Sequence, residues 1–327
     1  MALKETVLKV FDQNGKAALY AAGAGVALLG LGLGYKYMQR PKKLTQVGVI
    51  SQLILHPLKS GKGLQVAKAE CLRMGLKHGE LRDRHWLVIA EDGRMVTARQ
   101  VPRVVLVRMT AEGGDICLNA PGMEELRVPQ HQPNNNILNC KVFTENIQGR
   151  DCGDEVSGWL TRYLGKTVRM VHYEPRMKPR KCKERKPPFP PDEEVAYSDA
   201  GPIMLLSEAS LRDLNSRLDN DVTVAQYRPS IVVNDCEAFS EDSWDEIQIG
   251  PVRMKRVMAC GRCILTTVDP DTGVSNRTES LDTLKSYRLC DPSEKKTYGP
   301  SPLFGQYYIV KQTGTLHVGE PVYKISY

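Results

Sequence analysis

IMLLSEASLRDLNSRL, residues 203–218, sets two structural periods back to back. The unbroken apolar run Ile203–Leu206 has the length of a buried strand. After it, Leu211, Leu214 and Leu218 recur at the three- and four-residue spacing of a helix face. Ser207 stands at the junction, where its hydroxyl can accept from a free amide of the first turn, so it is the expected N-cap. Outward from this stretch, strands prevail. VGVISQLIL (47–55), IVV (231–233), EIQIGPVRMKRV (246–257), CILTTV (263–268) and YYIVK (307–311) read as strands. HWLVIAEDGRMVTAR (85–99) reads as a hairpin turning at Asp92-Gly93, RVVLVRMTAEGGDICLNA (103–120) as a pair around Gly113-Gly114, and LHVGEPVYKI (316–325) as a closing hairpin. GDEVSGWLTRYLG (153–165) has helical spacing and closes on a glycine. The expected fold class is therefore α+β, mainly β, with a few flanking helices.

The first residues differ in kind. Residues 17–35, AALYAAGAGVALLGLGLGY, carry no charge. As a helix they would reach about 28 Å, close to the hydrocarbon thickness of a bilayer. Lys36, Arg40, Lys42 and Lys43 follow, where a signal peptide would place a small-residue cleavage site. The reading is an uncleaved membrane anchor over 1–43, its cationic flank placing the rest of the chain in the cytosol. That segment also explains the charge. It holds seven basic and two acidic residues, a net of +5 out of +7. The remainder is nearly balanced, so the basic chain has no nucleic-acid footprint.

A second break comes at PRMKPRKCKERKPPFPP, 175–191. Between Arg176 and Lys186 it holds seven basic residues and one acid, the composition of an exposed loop. The expected organisation is an anchor over 1–43, a domain over 44–174, this loop over 175–191, and a second domain over 192–327. Cysteines at 71, 117, 140, 152, 182, 236, 260, 263 and 290 are odd in number and scattered, which suits reduced thiols. Asn276-Arg277-Thr278 is a glycosylation sequon, meaningful only if this side faces a lumen.

Candidate chemistry starts at Cys260-Gly261-Arg262-Cys263. A thioredoxin-type pair should open a helix, and the β-branched residues that follow argue for a strand. A zinc site would need a second pair at matching spacing, and none is present. Two buried cysteines without chemistry remain an alternative. Against it, the charge of Arg262 favours a thiolate at Cys263, a soft ligand for a thiophilic metal. HPLKSGKG (56–63) places Lys59 and Ser60 in a Gly-containing turn with the composition of an anion-binding loop. Arg84 and Arg228 either pair on the surface or reach a phosphate bidentately. Asp199, in YSDAGP, is a turn aspartate or a ligand-facing one.

Together these stretches resemble the MOSC (molybdenum cofactor sulfurase C-terminal) domain family. LKSGKG, LRDRHWLVI with GRMVTARQVPRVV, YSDAGPIMLLSEASLRDLNSRL, YRPSIVV, EDSWDEIQIG and RCILTTVDPDTG occur in the family's order over residues 44–327. The resemblance implies an N-terminal β-barrel subdomain, a MOSC β-barrel domain and a pterin-based molybdenum cofactor whose metal is held by Cys263. It makes Lys59, Ser60, Arg84, Arg228 and Arg262 ligands of the cofactor's phosphate and pterin, with Tyr307 in the same pocket, Ala200 and Gly201 contributing main-chain contacts, and Asp199 catalytic. Ser230 stands where the family commonly has asparagine, and Gly261 where serine often precedes Arg-Cys; both positions border the cofactor. The implied reaction removes oxygen from N-hydroxylated compounds. Its electrons come from NADH through cytochrome b5 reductase and cytochrome b5, at the mitochondrial outer membrane. The competing reading is a membrane-tethered carrier of the cofactor without catalysis. The basic loop 176–186 would steer an acidic haem protein.

Overall fold

The structure, a computed structural model, describes residues 42–182, 188–275 and 279–327. The 17–35 segment and the sequon at 276–278 lie outside the described residues. No described helix is long and apolar enough to cross a membrane.

Seven strands close on themselves. In spatial order they are Ile231–Asn234, Ile203–Ser207, Leu303–Gln312, Val252–Gly261, Glu246–Ile249, Pro321–Ser326 and Lys43–Leu55, and the last pairs back to the first. Closure leaves no exposed sheet edge among these seven. Ile203–Ser207 and Ile231–Asn234 run parallel, joined through the helix Glu208–Asn215, as a parallel crossover requires. The interior follows the two-residue period. In Glu246–Ile249, Ile247 and Ile249 are buried while Glu246 and Gln248 stay part-exposed. Trp244, Met254, Tyr308, Val310 and Val322 join them in the core. Each aliphatic side chain so buried contributes about 1.5–3 kcal/mol.

The barrel takes its long strand from the N-terminal segment, and Gly314–His317 pairs with Lys68–Leu72 in a second sheet. Residues 45–325 accordingly form one compact unit. A further sheet runs Ile137–Val142, Glu145–Asp151, Arg169–His172, Trp86–Ile89.

Many sequence expectations hold. Ser207 caps the helix Glu208–Asn215, its Oγ accepting from Ser210 N at 3.0 Å. The helix Asp154–Leu164 buries Val156, Trp159, Leu160, Tyr163 and Leu164 and ends on Gly165 in the left-handed region (φ 66°). Arg108–Glu112 and Asp115–Asn119 pair around Gly113-Gly114, although residues 102–106 form a 3-10 turn.

Two expectations fail and a third is cut short. The 85–99 hairpin turns at Asp92-Gly93, with Ala90 N donating to Arg94 O at 2.9 Å and Val96 N to Val88 O at 2.8 Å, but its second arm ends at Val96, and Trp86–Ile89 carries Arg169–His172 as a second partner. The 316–325 segment is no hairpin. Gly314–His317 and Pro321–Ser326 diverge into different sheets, each finding an open edge elsewhere. CILTTV is not a strand. Ile264–Thr267 forms a 3-10 turn, and the hydroxyls of Thr266 and Thr267 donate to the carbonyls of Cys263 and Ile264 at 3.0 and 2.8 Å. These back-bonds give β-branched threonines a local alternative to a ladder.

Candidate functional site

At one end of the barrel lies a cleft open to solvent. Seven stretches converge on it: the turn after Lys43–Leu55, the stretch after Leu81–Arg82, residues 97–99, the loop before Ile203–Ser207, residues 226–230, the end of Val252–Gly261 with the turn that follows, and Tyr307 in Leu303–Gln312. Eleven of the residues expected at a site line it: Lys59, Ser60 and Arg84; Asp199 and Gly201; Arg228 and Ser230; Gly261, Arg262, Cys263 and Tyr307. Ala200 does not. It is buried in the apolar cluster with Phe189 and Ile309, because its neighbours on either side take the cleft-facing positions.

The turn at Lys59 is built from main-chain bonds, Lys59 N to Trp86 O at 2.8 Å and Lys62 N to Val107 O at 2.8 Å. Gly61 is needed there, since a Cβ would stand 2.9 Å from Leu58 Cβ and 3.0 Å from Val107 O. Ser60, Arg84 and Arg228 all adopt left-handed backbone, with φ of 67°, 51° and 55°. Each such conformation costs a non-glycine residue about 1 kcal/mol or more, and such strain gathers at functional sites.

Five cations line the cleft (Lys59, Arg84, Arg99, Arg228, Arg262) against one carboxylate, Asp199. Lys59 is only 4% exposed. Its Nζ donates to Tyr197 O at 2.7 Å and pairs with Asp199 Oδ1. Burial pulls the Lys59 ammonium down to about 8, with Asp199 holding it up. Arg84 Nη1 pairs with the buried Asp83, and its Nη2 donates to Arg228 O at 3.0 Å. Arg262 enters the wall. Its Nε and Nη1 donate to Phe304 O at 2.7 Å and Tyr227 O at 2.8 Å. Among the described residues no carboxylate pairs with Arg262 or Arg228. Arg228 Nη2 is buried without a hydrogen-bond partner, and burial, together with the nearby Arg84, pushes its guanidinium well below its ordinary value. A guanidinium nitrogen buried in this state calls for an anion.

Cys263 has extended backbone (φ −137°, ψ −179°). Successive residues there point to opposite sides; with Arg262 in the wall, Cys263 turns to the cleft and stays part-exposed. Cys260 is buried and also borders the cleft, and both are free thiols. Burial drives the Tyr307 phenol well above its ordinary value, so it remains protonated. Ser230 is fully buried, its Oγ 3.5 Å from both Arg84 Nη1 and Met204 N.

Thr97, Arg99, Met204, Gln226, Leu265 and Thr266 also line the cleft and were not expected there. The first two sit in what reads as the second arm of a hairpin, and the last two in what reads as a strand. Misassigned backbone hid them. Arg180, expected as a steering cation on the basic loop, is 3% exposed. It pairs bidentately with Glu145 at 2.9 and 3.0 Å and donates to Ser198 O at 2.7 Å. It is a structural ion pair behind the Asp199 loop.

The chain is 62% identical to mitochondrial amidoxime-reducing component 1 of Danio rerio over the full length of both. It is 52% identical to mitochondrial amidoxime-reducing component 1 of Homo sapiens, over 88% of this chain and 86% of that one. It is 54% identical to mitochondrial amidoxime reducing component 2 of Bos taurus, again over 88% and 86%. Residues 47–167 match the MOSC N-terminal beta barrel domain and residues 192–323 the MOSC domain, so the chain belongs to the MOSC family.

Proposed function

We propose that the chain is a molybdenum-cofactor-dependent oxidoreductase that reduces N-hydroxylated compounds, amidoximes and hydroxylamines, to amidines and amines. The observation that carries this is one part-exposed free thiol, Cys263, facing a cleft lined by five cations and one carboxylate. A phosphorylated pterin that delivers a thiophilic metal fits that donor set: the unpartnered Arg228 Nη2 awaits an acceptor, and a thiolate suits the metal. Relatives named for amidoxime reduction over the whole chain length support the reaction class.

In this reading Cys263 Sγ is the protein ligand to molybdenum. Lys59, Ser60, Arg84, Arg228, Ser230 and Arg262 hold the phosphate and pterin, and Gly201 and Gly261 let main chain approach closely. When bound, the cofactor supplies the two-electron removal of oxygen from the N–OH group. The balance is N–OH plus two electrons and two protons to N–H plus water. Asp199 pairs with Lys59 at the cleft wall, which supports placing it beside the chemistry. Tyr307 keeps its proton and bounds the pocket. Electrons come from outside, through cytochrome b5 and its NADH-dependent reductase. The relatives' names are mitochondrial; anchoring by 17–35 in the outer membrane, with residues 44–327 in the cytosol, fits that placement.

A carrier that only stores the cofactor would share the cleft. The two readings separate in one experiment: elemental analysis of the purified chain together with benzamidoxime reduction by an artificial electron donor. Molybdenum with turnover supports the enzyme, molybdenum without turnover the carrier, and neither metal nor turnover refutes both.

A further inference from the structure

Four of the five cleft cations are fixed in place. Lys59, Arg84 and Arg262 each donate to a main-chain carbonyl, and Arg228 is packed so tightly that one of its nitrogens is cut off from water. Arg99 is different. It is half-buried, lines the same cleft, and among the described residues makes no hydrogen bond or ion pair. Its guanidinium lies over the Phe143 ring, 5.3 Å from the centroid, and Lys59 Nζ lies 5.5 Å from the same centroid.

Both supports of that arrangement are rigid. Phe143 is held in left-handed backbone (φ 59°) at the turn between Ile137–Val142 and Glu145–Asp151, a conformation costly for an aromatic residue. On the other side, Thr97 N donates to Gln100 Oε1 at 2.8 Å, and Gln100 N and Val101 N both donate to Thr97 O at 2.9 Å. That locks the turn from which Arg99 projects. A ring stacked on a guanidinium leaves its in-plane N–H fork open to a carboxylate. Carbonyl-anchored cations suit a resident group that never leaves. A part-exposed arginine held only by a ring can reorient, which suits a ligand that comes and goes at every turnover.

We propose that Arg99 is a specificity residue that binds a carboxylate carried by the N-hydroxylated substrate. This rests on the cleft being the site of N-reduction. The preferred substrates then hold a carboxylate at one end, on Arg99, and the N–OH group at the other, toward Cys263.

The test compares 4-carboxybenzamidoxime with its methyl ester, as kcat/KM, in the molybdenum-loaded wild type, Arg99→Gln and Arg99→Lys. One charge-assisted contact carries about tenfold or more. The acid-to-ester ratio should fall by about that factor in Arg99→Gln and recover in part in Arg99→Lys, and using a ratio removes the electronic difference between the compounds. Calorimetric binding of 4-carbamoylbenzoate, which carries no N–OH, should weaken in parallel and reads the contact without turnover. An unchanged ratio with both compounds reduced would overturn this inference alone. Loss of molybdenum from Arg99→Gln would also overturn it, by assigning Arg99 to the resident cofactor. A wild type that reduces neither compound would overturn the functional reading itself.

Discussion

Replacing His172 by phenylalanine should flatten the acid side of the stability profile by a calculable amount. His172 is 6% exposed and stacks on Trp86, centroids 4.3 Å apart at 9°. Burial first, and then the charge of His85, pull its imidazole from 6.5 down to about 3. The folded state therefore holds it neutral while the unfolded chain takes up a proton below 6.5. Stability from this group is complete above pH 6.5 and is lost as pH falls toward 3, at about 1.4 kcal/mol per unit. Between pH 7 and pH 5 the loss is about 2 kcal/mol. Phenylalanine keeps the stack and removes the proton site. Other groups contribute to the total profile. His85, pulled to about 4 by burial, adds a loss of similar size, whereas Asp83 and Glu241, raised by burial, gain stability on acidification. The difference between wild type and variant cancels them. Urea unfolding at pH 7 and pH 5 should give a pH-dependent loss smaller by about 2 kcal/mol in His172→Phe. Equal losses in the two proteins would show that His172 is protonated in the folded state and would refute the reasoning.

Three further outcomes follow from the site and its supports. Cys263→Ser should purify folded but without molybdenum, whereas Cys260→Ser, at a buried free thiol, should keep the metal; elemental analysis decides, and metal loss from both would revive a paired-cysteine reading. Gly305 has φ +80°, and a Cβ there would stand 2.9 Å from both Leu205 O and Met204 Sδ and 3.1 Å from Arg262 Nη2, so Gly305→Ala should cost about 1–3 kcal/mol and, by displacing Arg262, lower molybdenum content. Arg180→Gln strands Glu145 and should cost about 3 kcal/mol, slowing NADH-driven and artificially driven turnover alike, while Lys181→Gln, at an exposed pair with Glu194, should cost under about 1 kcal/mol; selective loss of the NADH-driven rate in Arg180→Gln would restore it as a docking residue.

How far the sequence could be read depended on the range of the interactions involved. Ser207, the helix Asp154–Leu164 and the Gly113-Gly114 turn were legible because their determinants lie within a few residues: a cap hydroxyl, a 3.6-residue apolar spacing, a pair of glycines. The second partner of Trp86–Ile89 was not, since nothing local tells that Arg169–His172 pairs with that run as well. The site was legible mainly through the ordered stretches that resemble the family, which delivered Lys59, Arg84, Arg228 and Cys263 together. Arg99 lies in one of those stretches, GRMVTARQVPRVV, but nothing local marks it as a site residue. Its role comes from Phe143, forty-four positions away along the chain and 5.3 Å away in space. Arg180 shows the opposite error: composition put it on a solvated loop, and one distant carboxylate, Glu145, drew it inside.

The cleft works against the stability of the free chain. Three left-handed non-glycine residues, Ser60, Arg84 and Arg228, and two arginines without carboxylates, the buried Arg262 and the half-buried Arg228, each cost folding free energy. A sequence selected for stability alone would replace the first by glycine and pair the second. An anion bound between Lys59, Arg84 and Arg228 offsets both costs, because it supplies the missing acceptor and gives the strained backbone its reason to stay. Binding that favours only the folded state adds stability with ligand concentration. On the proposed function, a resident cofactor would in this sense be part of the folding free energy, and the same unpaired charge that weakens the empty chain would hold the cofactor through turnover.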